Sequence, residues 1–286
     1  MIYTGLIGWP LEHSLSPKIH NIAFEISGIS GRYDLLPIAP NSLKELEKIL
    51  HQLKNKQIMG LNVTIPHKIN VIPFLDELEG DAERYQATNT VFLRNEKLIG
   101  ENTDGIGFMR DLETGFGRSI FQGKGALIFG AGGSAKVVLA KLIDLGMYVT
   151  IAVRNRGQAL DQLSKLTFLT NHNSLVIDKG QLTQRNIDEV NLIINATPLG
   201  MHPAIDGIPI ADELRFNQDQ YIYDLVYNPY QTRLIKKAIV EGAKARNGFG
   251  MLVEQALLAF EIWTGINISR EEFYNRYQHE NGANLP

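Results

Sequence analysis

The sequence predicts a two-domain α/β protein, and three observations carry that prediction. Short apolar runs alternate with polar helical patterns through the first hundred residues, as β/α units require. From Gly123 the pattern becomes strand, glycine-rich turn, helix and strand, in "GALIFGAGGSAKVVLAKLIDLG" and "YVTIAV". Near the C-terminus "MLVEQALLAFEIWTG" is apolar on nearly every side, so this helix should lie buried between packed elements. The expected boundaries place residues 1–109 with 250–286 in one α/β domain, the C-terminal helices packing back on it, and residues 110–249 in the other.

In chain order, "TGLIG", "RYDLLPI" and "IMGLNVTI" read as strands, while "SPKIHNIAFEISG" and "SLKELEKILHQL" read as helices. Ser42 with Glu45 three residues later predicts a capping box at the start of the second helix. "NTVFLR" and "KLIGEN" read as a hairpin turning at Asn95 and Glu96. "NLIINAT" and "YIYDLVY" are further strands, each leading into a loop and a helical pattern. The tail "HENGANLP" should fray.

Composition narrows the classes of function. The 286 residues are 44% hydrophobic, enough for a sizeable core. With 28 basic and 31 acidic side chains the net charge is −3, too weak a field to draw nucleic acid or an anionic membrane, so an anionic ligand must be held locally. The absence of cysteine excludes disulfides, thiolate nucleophiles and Cys-type zinc sites, and fits a reducing cytoplasm. His13, His20, His51, His67, His172, His202 and His279 form neither H-x-x-x-H nor H-E-x-x-H, so no metal is expected. "MIYTGLIGWP" lacks the basic segment of a signal peptide, and no apolar run reaches the ~18 residues of a membrane helix. The expectation is a cytoplasmic monomer or homodimer acting on a small molecule, with neither nucleic acid nor membrane as partner.

In "LIFGAGGSA", Gly130, Gly132 and Ala135 fit G-x-G-x-x-A between a predicted strand and a predicted helix. The first glycine permits a tight turn, the second lets a pyrophosphate approach the backbone, and Ala135 allows close helix–strand packing. The phosphates then lie on free N–H groups of Gly130, Ala131, Gly132, Gly133, Ser134 and Ala135 at the helix N-terminus. This marks the second domain as a Rossmann-type doubly wound parallel sheet. An NAD site usually carries an acid at the end of the next strand, but here that strand runs "VTIAVRNRGQ". Arg154 and Arg156 flank Asn155, and guanidinium forks suit a 2′-phosphate, so the expected cofactor is NADP.

In "HSLSPKIHN" the hydroxyls of Ser14 and Ser16 would share one face of an extended segment, and Ser16 before Pro17 reads as a helix N-cap. Two hydroxyls beside a helix N-terminus make a compact carboxylate site. In "GLNVTIPHK", Lys68 closes an apolar strand on whose face Asn62 and Thr64 alternate. By itself that lysine reads equally well as a solvated charge.

The set "HSLSPKIHN", "GLNVTIPHK", "ATNT", "NTDGIG", "GAGGSA", "NATPLGM", "DLVYNPYQTRL" and "GMLVEQA" resembles the shikimate dehydrogenase family, in order and across essentially the whole chain. The resemblance implies reduction of 3-dehydroshikimate to shikimate with NADPH, in a two-domain enzyme with its active site in the cleft between domains. It makes Lys68 and Asp104 the catalytic pair. Ser14 and Ser16 become carboxylate contacts, and Asn62, Thr64, Asn89 and Gln255 groups that bind ring hydroxyls or the carboxylate. Tyr227 falls in the D-x-x-Y stretch and joins the substrate contacts. Thr197, Met201, Val226, Gly248 and Met251 match positions around the nicotinamide, although a lone methionine is more often core. Gln255 is also notable physically, since an amide in an apolar helix needs a partner.

Three departures stand out. The family commonly has Asn-Arg-Thr where this chain has Val153, Arg154 and Asn155; Gln86 stands where glycine is usual; Pro198 occupies a position that is often serine. A quinate or dual shikimate/quinate dehydrogenase is the nearest rival, and Ser14, Ser16 and Arg154 speak against it. A non-catalytic NADP-sensing protein on the same scaffold would not keep both Lys68 and Asp104.

Overall fold

The apolar runs of the first hundred residues become strands, with helices between them. In the computed structural model, which describes residues 1–121, 125–164, 166 and 174–281, they form β1 (Ile2–Gly8), α1 (Ser16–Ser27), β2 (Gly31–Pro37), α2 (Leu43–Lys54) and β3 (Gly60–Val63). There follow α3 (His67–Asn70), β4 (Glu77–Leu78), α4 (Gly80–Tyr85), the hairpin strands β5 (Thr90–Arg94) and β6 (Lys97–Glu101), and α5 (Asp104–Phe116). Asn95 and Glu96 both take left-handed φ, 52° and 63°, the geometry of a two-residue turn whose twist matches its strands. These strands form a mixed sheet in the order β2-β1-β3-β5-β6-β4.

Each face of that sheet is covered by its own helices. On one, Leu61 and Val63 of β3 meet Leu46, Leu50 and Leu53 of α2 in a single apolar cluster. On the other, aromatic rings lie directly against backbone. A Cβ at Gly31 would stand 2.2 Å from the Phe24 ring, and one at Gly60 would stand 2.4 Å from the Trp263 indole. Glycine at those two positions is what lets rings from α1 and from α10 (Phe249–Thr264) settle on the strands.

The remaining chain builds β7 (Gly125–Phe129), α6 (Gly133–Asp144), β8 (Val149–Val153), α7 (Arg156–Ser164), β9 (Leu175–Asp178), α8 (Gln184–Asp188), β10 (Val190–Asn195), β11 (Tyr221–Asp224), α9 (Arg233–Val240) and β12 (Lys244–Asn247). After α10 comes α11 (Arg270–Asn281). The second sheet has the order β12-β11-β10-β7-β8-β9, and every pairing in it is parallel. Its order reverses between β7 and β10, the switch point at which open α/β sheets bind ligands. Asp111, 2% exposed, anchors this half: it accepts from Tyr223 Oη at 2.6 Å and from Arg246 Nε at 2.9 Å.

The chain divides into two compact units, residues 1–107 with 252–285 and residues 108–251, and passes from one to the other within α5 and back within α10. The C-terminal tail from residue 282 and His172 lie outside the described residues. No described helix is long and apolar enough to cross a membrane.

Two capping expectations need correction. Ser42 is the N-cap of α2 but its side chain makes no cap bond; the reciprocal pair is formed instead by Thr183 and Asn186 at α8. Ser16 is the first residue of α1, not its cap. Leu15 before it is already α-helical in φ and ψ, at −86° and −5°, and Ser14 Oγ accepts from Ser16 N–H at 3.2 Å. The segment is therefore turned where an extended run was expected, because the freed helix N–H draws the serine hydroxyl toward it.

Candidate active site

Lys68 does not end the strand. β3 stops at Val63, the chain turns through Thr64 to Pro66, and Lys68 stands in the one-turn α3. Pro66 begins that turn with no N–H to leave unpaired, and Lys68 O accepts from Thr88 N–H at 2.8 Å. The lysine ammonium forms an ion pair with Asp104 Oδ2, the lysine side chain 20% and the aspartate 9% exposed. Asp104 opens α5, where the helix N-terminus favours its negative charge.

The other carboxylate oxygen is held from behind. Asn89 Nδ2 donates to Asp104 Oδ1 at 2.8 Å, to Thr103 Oγ1 at 2.9 Å and to Gln255 Oε1 at 3.2 Å. Gln255 Nε2 donates to Leu252 O at 2.8 Å, the partner that its amide in an apolar helix required. Ser14, Ser16, Asn62, Thr64, Lys68, Asn89, Asp104 and Gln255 thus all belong to the first unit.

Asn62 is held by three partners within the first unit. Only 5% exposed, it accepts from Tyr33 Oη at 2.8 Å and donates to Asn89 O at 3.1 Å and Thr90 Oγ1 at 3.3 Å. Its amide is taken up inside the protein because β2 and β3 flank β1 and carry Tyr33 and Asn62 on one face. Thr64 lies one residue beyond the strand, half-buried, its methyl against Gly8.

In the second unit the glycine turn has the geometry a dinucleotide needs. Gly130 has φ of 102°, and a Cβ there would stand 3.0 Å from Thr197 Cγ2 and 3.1 Å from Ala196 O. Gly132 is the N-cap of α6, with no side-chain bond to the first turn. A Cβ on Gly132 or Gly133 would meet no neighbouring side chain or strand within 4 Å, so these glycines line open space beside the first-turn N–H groups of α6. Ala135, 3% exposed, packs in the core beneath. These residues fit a pyrophosphate.

Beyond β8, Arg154 is exposed, while Asn155 Oδ1 caps α7 through Gln158 N–H at 3.0 Å. Arg156 turns its Nε to Val176 O at 2.9 Å, so one donor of that guanidinium belongs to β9. Across the switch point, Asn195 Oδ1 accepts from Thr197 N and Oγ1 at 3.0 and 2.7 Å, and its Nδ2 donates to Asp224 Oδ1 at 2.9 Å. Asp224 also accepts from Val226 N at 3.1 Å and Thr232 Oγ1 at 2.6 Å, and burial pushes its carboxyl up to about 6. The loops carrying Thr197 and Val226 are therefore tied together. Neither Asn195 nor Asp224 was singled out from sequence, although each is a polar residue closing an apolar strand.

Gly248 is required where it stands, since a Cβ would lie 2.4 Å from Leu225 O. Met201 is 46% exposed, whereas Met251, 9% exposed, packs into the core of the second unit. Burial raises the Tyr227 phenol, and Tyr227 belongs to the second unit, not to the unit that holds Lys68.

Comparison with known proteins accounts for this combination. Residues 6–91 match the model of the shikimate dehydrogenase substrate binding domain, and residues 248–276 that of the shikimate 5'-dehydrogenase C-terminal domain. The chain is 40% identical over 271 residues to the shikimate dehydrogenase (NADP(+)) of Methanocaldococcus jannaschii, spanning 95% of this chain and 94% of that one. This chain belongs to the shikimate dehydrogenase family. Within the family it is 38% identical to the Geobacillus kaustophilus enzyme of the same description, over 91% of this chain and 92% of that one. A family crystal structure in complex with NADP+ superposes with a TM-score of 0.87 at 37% identity, covering 98% of this chain and 96% of that one. The Thermus thermophilus shikimate 5-dehydrogenase in complex with NADP(H) and shikimate gives 0.83 at 30% identity, covering 98% and 99%.

Proposed function

We propose that this protein is an NADP-dependent shikimate dehydrogenase, catalysing the reversible reduction of 3-dehydroshikimate to shikimate. The observation that carries the reading is the ion pair of Lys68 with an Asp104 that Asn89 holds on its other oxygen, in a chain that also presents an open glycine turn at the switch point of a parallel sheet. NADP, when bound, supplies hydride exchange at the substrate carbon.

Reduction of a ring ketone places negative charge on its oxygen, and a positioned acid lowers that barrier. Lys68 Nζ is the donor in this assignment, and Asp104 holds it in place and compensates its charge. Ser14 and Ser16 hydroxyls orient the substrate carboxylate, with Thr64, Asn89 and Gln255 around the ring. Backbone N–H groups from Gly130 to Ala135 hold the pyrophosphate. Arg154 and the Asn155 amide take the 2′-phosphate, while Thr197, Met201, Val226 and Gly248 shape the nicotinamide site. Absence of cysteine supports a cytoplasmic setting, and a monomer or homodimer is the assembly in keeping with a small-molecule enzyme.

The test is a spectrophotometric assay of shikimate and quinate oxidation with NADP and NAD side by side. Shikimate with NADP is expected to dominate, and a clear preference for NAD would remove the role given to Arg154. Lys68→Ala and Asp104→Ala should each lose roughly 10²–10⁴-fold in kcat with little change in KM, as a proton-transfer role requires. Near-native turnover in both variants would show the pair to be wrongly assigned.

A further inference from the structure

Tyr33, in β2, takes no part in the chemistry above, yet it begins a line of hydrogen bonds that ends on Asp104. Its Oη donates to Asn62 Oδ1 at 2.8 Å. With that oxygen committed, Asn62 Nδ2 donates to Thr90 Oγ1 at 3.3 Å and Asn89 O at 3.1 Å. Thr90 Oγ1 then donates to Asn89 Oδ1 at 2.9 Å, which also accepts from Thr103 N–H at 2.8 Å. Only in that orientation does Asn89 turn Nδ2, and not an oxygen, toward Asp104 Oδ1 at 2.8 Å.

Every donor in the line points the same way, and backbone groups pin it at two places, the Asn89 carbonyl under Asn62 Nδ2 and the Thr103 N–H on Asn89 Oδ1. The two ends of a side-chain amide have nearly the same shape, so hydrogen bonding alone decides which end faces which neighbour. The Tyr33 phenol enters the line as a donor, and burial raises it well above its ordinary value, with the Ser16 hydroxyl opposing. The ring itself is clamped. His20 stacks on it at 4.1 Å between centroids and 4° between planes, and Trp263 lies on His20 at 5.3 Å.

We propose that Tyr33 is a positioning residue for the reaction, whose hydroxyl holds the Asn62 amide in place and, through Thr90 and Asn89, braces the alignment of Asp104 with Lys68. This rests on the dehydrogenase reading for its kinetic consequence, but not for the hydrogen-bonded line itself.

Tyr33→Phe keeps the stacked ring and removes only the donor. Its kcat for shikimate oxidation should fall about tenfold, in line with one unmade buried hydrogen bond, while KM for NADP stays near wild type and the thermal midpoint falls by only a few degrees as Asn62 Oδ1 loses its donor. Asn62→Leu should fall similarly, and the double variant should be no worse than the weaker single one, since both break one line. Effects that multiply, or a Tyr33→Phe kcat within about twofold of wild type, would overturn the proposal. A second readout needs no turnover: in ligand-free protein the side-chain amide NMR signals of Asn62 and Asn89 should shift or broaden in Tyr33→Phe. Unchanged signals refute the relay. Shifted signals with no shikimate oxidation by wild type would leave the relay standing and reject the dehydrogenase reading instead.

Discussion

Gln86 shows how one departure from a family pattern acquires a physical meaning. It follows α4 with φ of 50° and ψ of 43°, the left-handed region that costs a non-glycine residue about 1–2 kcal/mol. Glycine is usual at that position because it takes this conformation freely, and Gln86 offsets part of the cost through its Nε2 bond to Glu83 O at 2.6 Å. Gln86→Gly should raise stability by about 0.5–1 kcal/mol, the relief of strain less the added freedom of the unfolded chain. Chemical denaturation would measure it, and a destabilised variant would mean that the side-chain bond outweighs the strain. The departure was visible in the sequence, but its reason was not, because φ is set by how α4 hands the chain to the Ala87–Thr90 segment.

Among elements, the turn between β7 and α6 was the most legible. Its glycines act locally: Gly130 through a positive φ and Gly133 through open space, both properties of a few consecutive residues. Gly133→Ala separates fold from function there. An added methyl meets no neighbouring side chain or strand within 4 Å, and in a first helical turn it should leave stability unchanged or raise it by up to about 1 kcal/mol. The same methyl would occupy space assigned to the pyrophosphate, so the Kd for NADP should rise severalfold. Unaltered NADP binding in a stable variant would remove the phosphates from this turn. The α1 start was less legible: both serines stand out in the sequence, but Leu15 being helical reassigned which of them accepts from the backbone.

For the whole molecule, two buried groups set opposing responses to pH. Burial pushes the His20 imidazole down to about 3; Asn62 lies near enough to favour the charged form, yet neither ring nitrogen has a hydrogen-bond partner among the described residues. A depressed pKa contributes stability present above the unfolded value of 6.5 and lost as pH falls, here about 2 kcal/mol between pH 6.5 and 5. Asp224, raised from 3.8 to about 6 by burial, works the other way. Its contribution is present below 3.8 and lost as pH rises through 6, about 1 kcal/mol between pH 5 and 6. Wild-type stability should therefore change little between pH 7 and 5. His20→Phe keeps an aromatic ring on Tyr33 and should gain about 2 kcal/mol at pH 5 relative to pH 7 when compared with wild type. Urea midpoints at the two pH values would show it, and an unaltered pH dependence would mean that His20 is already solvated in the folded state.

What the sequence determined by itself was whatever depends on neighbours along the chain: the two α/β halves, the hairpin at Asn95 and Glu96, the glycine turn between β7 and α6, and the blocks that place Lys68 and Asp104 in a known family. Tertiary structure alone decided which polar groups use their hydrogen bonds inside the protein. Asn62, expected as a ligand contact, engages Tyr33, Asn89 and Thr90; Met251, expected near the cofactor, lies 9% exposed in a core; Asp224, quoted only as part of a motif, ties Asn195 to Thr232. The reason is that a buried polar atom must find a partner, and that partner comes from whichever strand the sheet order sets beside it. Tyr33 reaches Asn62 because β1 lies between β2 and β3, a fact that no spacing of 29 residues along the chain records.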